Sequence, residues 1–82
     1  MPLYYFDIHD GDGPRVDMEG AVLADDKAAR EEATKAIAEM ANEVLPHDGM
    51  HRRITIAVRR EDGTTLLDEA LAFEINVRPR SD

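Results

Sequence analysis

The chain has 82 residues, a net charge of −8, 43% hydrophobic side chains and no cysteine. That length suits one domain, residues 1–82, with a small core, and the lack of cysteine excludes disulfides, thiolate metal sites and a cysteine nucleophile. The acidic balance disfavours nucleic acid, whose phosphates it would repel, and no apolar run approaches the ~20 residues of a membrane-spanning helix.

Leu3 to His9 reads as a first strand, with Tyr4, Phe6 and Ile8 alternating against Leu3, Tyr5, Asp7 and His9. The Tyr4/Phe6/Ile8 face is expected in the core. Asp10-Gly11-Asp12-Gly13-Pro14 has turn composition, with Pro14 expected to stop further pairing. Arg15 to Met18 is expected to return as a short second strand, Glu19-Gly20 to break it, and Ala21 to Ala24 to run as an extended link.

A helix is expected over Lys27 to Leu45, a stretch free of Gly and Pro, with Asp25 as its N-cap and Asp26 as the alternative. Ala29, Ala33, Ala36, Ile37, Met40, Ala41 and Val44 recur at three- and four-residue spacing. So small a stripe implies close approach to a sheet. Pro46 should end the helix, and Pro46 to His51 reads as a polar loop. Arg52 to Arg60 is expected as a strand with Ile54, Ile56 and Val58 inward. Glu61-Asp62-Gly63-Thr64 carries the Asp-Gly hairpin signal. The last strand is expected over Leu66 to Val77, with Leu71, Phe73, Ile75 and Val77 on one face and a bulge near Asp68. Residues 78–82 read as a frayed tail.

The pattern is β-β-α-β-β. Short connections make directions alternate, which predicts an α+β fold: an antiparallel sheet of order 2-1-3-4 with one helix on one face. The opposite face would show Leu3, Tyr5, Arg53, Ala57, Ala70 and Ala72, a semi-apolar surface suited to dimerisation there or at an edge strand.

Side chains capable of chemistry crowd into the first strand and its turn: Asp7, His9, Asp10, Asp12, Asp17 and Glu19. Oxygen-rich loops attract hard cations, but the calcium-loop spacing fails, because Pro14 stands at the fifth position from Asp10 and no glutamate at the twelfth. No metal or other cofactor is therefore expected. His9 beside a carboxylate could form an acid/base pair. The single serine, Ser81, lies far away in sequence, which argues against serine hydrolase chemistry. His47 and His51 flank Asp48 in the Pro46–His51 loop expected here, a weak divalent spacing. Arg52, Arg53, Arg59, Arg60, Arg78 and Arg80 read as guards of an edge strand. Residues 1–50 carry 12 acidic and 4 basic side chains and residues 51–82 carry 6 of each, so the whole net charge lies in the first part.

The opening Met1-Pro2-x-Tyr4-Tyr5-Phe6-Asp7-x-x-Asp10-Gly11 resembles a family of short uncharacterised proteins of rhizobia and related alphaproteobacteria. The resemblance continues through Asp17, Glu19-Gly20, Leu23, Asp25, Glu32-Ala33, the Asp62-Gly63 hairpin and Phe73. It implies a bacterial, cytoplasmic origin and supplies no catalytic residues. A looser likeness in element order is to small antitoxins that sequester an RNA-cleaving partner, although their usual DNA-binding segment has no counterpart here.

With no competent nucleophile, redox centre or phosphate motif, the sequence points to a non-catalytic protein-interaction module, with a protein partner or a second copy as its target. The alternatives are a small-ligand or divalent-metal binder at the acidic turn and an antitoxin-like partner of a basic protein.

Overall fold

A computed structural model describes residues 1–10, 13–44, 51–76 and 78–80. It contains β1 (Leu3–His9), β2 (Pro14–Arg15), β3 (Ala21–Val22), α1 (Asp26–Val44), β4 (His51–Arg60) and β5 (Thr65–Glu74). All pairings are antiparallel and the sheet order is β2-β1-β4-β5, with β3 also bonded to β1. The expected α+β fold and strand order are therefore found, with a fifth short strand where an extended link was expected.

The core follows from alternation meeting helical period. Ile54, Ile56 and Val58 on the central strand β4 are wholly buried, and Tyr4 packs among them. Burying each such aliphatic side chain contributes roughly 1.5–3 kcal/mol. Ala29, Ala33, Ile37 and Ala41, spaced by four, form the buried helix stripe, with Ala36 and Met40 at its margin. The alanines let the helix axis lie close to β4 and β5. Asp25 is the N-cap: its Oδ1 accepts from the Ala28 N–H at 2.8 Å.

Several boundaries differ from expectation. The second strand is only Pro14–Arg15, with Pro14 paired to His9; a proline is tolerated on an edge strand because its missing N–H faces outward. Val16 and Met18 are consequently exposed. β4 begins at His51, opposite Glu74, rather than in the loop. β5 ends at Glu74, and Leu71 and Ile75 are 36% and 46% exposed, because an edge strand is covered by the helix on one side only. The bulge is at Leu66, since Val58 faces Leu67 while Arg59 faces Thr65. Both Leu66 and Leu67 thereby reach the core. Arg52, Arg53, Arg59 and Arg60 lie on the central strand, so they do not guard an edge; the outer strand β5 carries acids instead. Residues 78–80 have no helix or strand. The readings placed on Gly11, Asp12, Leu45 to Met50 (with His47 and Asp48), Val77, Ser81 and Asp82 lie outside the described residues.

Candidate functional site

β1 has one edge against β4 and one facing outward. Along the outward edge Tyr4 pairs with Ala21 of β3 and Ile8 pairs with Arg15 of β2. Phe6 falls in the gap between them. Its N–H is taken by the Asp17 side chain, Oδ2 at 3.0 Å. A carboxylate thus stands in for a missing strand residue. The other oxygen of Asp17, Oδ1, accepts the N–H groups of Glu19 and Gly20, each at 3.0 Å. The clasp is reciprocal, because the Asp17 N–H donates to Asp7 Oδ1 at 2.9 Å.

Arg59 completes the cluster from β4, opposite Tyr5. Its Nε donates to Asp7 Oδ2 at 2.6 Å, and its Nη2 to Asp7 Oδ1 and to the Asp17 carbonyl, both at 3.2 Å. The guanidinium lies 4.7 Å from the Tyr5 ring centroid, a cation–π distance. Gly20 closes the corner with φ +76°; a Cβ there would lie 3.0 Å from the Tyr4 carbonyl oxygen and from Leu3 Cδ1, and 3.1 Å from Tyr5 Cε1. Only glycine combines that backbone conformation with that proximity.

These bonds set the charge states. The Arg59 hydrogen bonds hold the Asp7 carboxyl below its ordinary range, aided by the Asp17 N–H, with burial opposing. Burial pushes the Asp17 carboxyl up, but the N–H groups of Gly20, Phe6 and Glu19 and the Arg59 charge outweigh it, and its pKa is lowered. Both are anions held by internal donors, so the acid/base pairing of His9 with Asp7 meets a carboxylate already committed elsewhere.

Of the residues singled out by sequence, Asp7 and Asp17 are brought together. Asp10 is buried and bonded by Arg15 Nη2 at 2.7 Å. His9 and Glu19 are exposed, and Asp12 lies outside the described residues. Among the described residues no group of His, Asp and Glu has the arrangement to hold a metal ion. Sequence reasoning missed Arg59 and Tyr5, whose positions on the outward face of adjoining strands were readable but whose strand register was not.

A groove of about 670 Å³ lies at the other end of β1, between the start of α1 and the hairpin. Tyr4 donates its hydroxyl to Asp26 Oδ1 at 2.7 Å, and Arg60 Nη2 donates to Asp26 Oδ2 at 3.1 Å. The Tyr4 phenol is raised, chiefly by that hydrogen bond, and the Asp26 carboxyl is lowered by Tyr4 and then Arg60. Asp26 here ties the first strand, the helix and β4 together, and with Asp25 it leaves the helix N-terminus unsuited to an anion.

No described helix is long and apolar enough to cross a membrane. The family described as a domain of unknown function (DUF6894) matches residues 3–72. No curated protein and no solved structure matches the chain.

Proposed function

This chain belongs to the DUF6894 family, and from that premise we propose that it is a non-catalytic protein-interaction module of the bacterial cytoplasm. The observation that carries this reading is the use of the Asp7 and Asp17 carboxylates, which are occupied by a guanidinium and four backbone N–H bonds of their own chain. Groups spent on holding a strand edge are poor general bases and poor metal ligands, since any ligand must first displace those donors. What the molecule offers outward is surface: among the described residues, an uncovered sheet face and an outer strand paired on one side only, and in the sequence an acidic first part.

The test is affinity capture with the tagged chain, followed by calorimetry with each recovered protein made separately. A saturable complex that survives Asp10→Asn supports a surface-borne interaction. Loss of binding with that variant, together with a calorimetric signal for Ca²⁺, Mg²⁺ or Zn²⁺, would move the assignment to ligand binding at the turn.

A further inference from the structure

The two margins of the sheet are unlike. The β1 margin is closed by two short strands and the Asp17 carboxylate. The β5 margin is open: among the described residues no strand lies beyond its ten residues. On the helix side of that strand Leu71 and Ile75 are left partly uncovered, beside the half-buried Phe73. An extension of the sheet would cover them, because the strip runs along the outer side of β5.

We propose that the occupant of this edge is a second copy of the chain, joined β5 to β5 in antiparallel fashion about a two-fold axis at Ala72. This rests on the interaction-module reading and names its partner. A two-fold axis normal to the sheet puts both helices on one side, so facing residues must have numbers of equal parity. An axis at Leu71 sets Asp68 opposite Glu74, like against like. One at Ala70 sets Leu71 opposite Glu69 right beside the axis, so that Leu71 and Phe73 no longer meet. Moving it to Phe73 leaves three residues of β5 paired, against five with the axis at Ala72. With the axis at Ala72, Leu71 faces the partner's Phe73, and the three acids of the strand face neutral residues: Glu69 faces the partner's Ile75, Asp68 the partner's Asn76 and Glu74 the partner's Ala70. Leu71 and Phe73 of the two copies then form one apolar patch between the helices, with Glu69 beside the partner's Ile75 at each end.

Charge on the other face agrees. Arg53 sits beside Ala72 on β4. The partner's Glu74 would lie two strands across and one pair along, about 12 Å between Cα atoms. Arginine and glutamate side chains reaching over alanines span that gap. Ala70 and Ala72 leave the room.

The chain has no cysteine, so single cysteines report the register directly. Ala72→Cys should form a disulfide-linked dimer under mild oxidant, whereas Ala70→Cys, displaced by about 14 Å from its copy, should not. Sedimentation should give a concentration-dependent dimer for the unaltered chain. Leu71→Glu and Phe73→Lys should each weaken it at least about tenfold, and an equimolar mixture of the two should recover it. A monomer throughout at millimolar concentration overturns the proposal, as does a dimer indifferent to both substitutions or cross-linking at Ala70 in preference to Ala72. If the chain stays monomeric yet binds a captured protein in a manner sensitive to Leu71→Glu, β5 serves another partner: the second copy is refuted while the interaction module stands.

Discussion

Replacing Asp17 by alanine removes three hydrogen bonds at once and tests whether the β1 margin depends on one carboxylate. The N–H of Glu19 is exposed and can turn to water, so its loss counts for little. Those of Phe6 and Gly20 are partly buried, and an orphaned donor of that kind costs roughly 1–3 kcal/mol. The expected loss for the two is therefore about 2–6 kcal/mol, against a total stability of about 4–12 kcal/mol for a chain of this length. In melting temperature the lower end alone corresponds to a drop of about 8–16 °C. Urea titration followed by circular dichroism gives the free energy, and amide exchange gives the location: Phe6 should lose protection while Val58, in the core, keeps it relative to global unfolding. Asp17→Asn should fall between, since its amide oxygen can still serve Glu19 and Gly20 while its NH₂ faces the Phe6 donor. A loss below about 0.5 kcal/mol for the alanine variant, the level of an ordinary surface change, would refute the reasoning.

Gly20→Ala is expected to cost about 2 kcal/mol by chemical denaturation, from the positive φ and the tight approach to the Tyr4 carbonyl together. Gly63→Ala, at φ +91° but with open space around the new methyl, should cost less, about 1 kcal/mol. Acid should weaken the fold through Asp7 and Asp17. Both have folded pKa values lowered from 3.8, so their stabilisation is complete above the unfolded value and is lost as pH falls below about 4, which urea midpoints across pH 2–7 will show. Removing the guanidinium with Arg59→Ala should raise the Asp7 titration towards the ordinary 3.8, read from carboxyl carbon shifts; an unmoved Asp7 would mean that the bidentate contact is not what lowers it.

The helix, the Ile54/Ile56/Val58 strand and the order of strands were legible because each rests on a local rule: period, capping residue, hairpin signal or short connection. The clasp was legible only as composition. Asp7 and Asp17 are ten residues apart, and nothing local says that one carboxylate replaces a strand residue while the other anchors an arginine from β4. The crowd of acids at the turn suggested a site for something external; the structure turns two of them inward to bind the chain's own backbone. The bulge was misplaced for a similar reason. Leu67, Glu69, Leu71 and Phe73 keep one alternation throughout, and only the pairing with β4 reveals that Leu66 is the extra residue.

The asymmetry of the sheet margins limits how copies can accumulate. A sheet with two open edges can add neighbours at both, and nothing then stops the growth of a fibre. Here one margin is sealed by a side chain and two strands of two residues each. Association through the other consumes the one extended open edge among the described residues, so assembly there is self-terminating. Asp17 is in that sense a stop signal: a substitution that opens the β1 margin would give each chain a second valency, and with it a further route to aggregation.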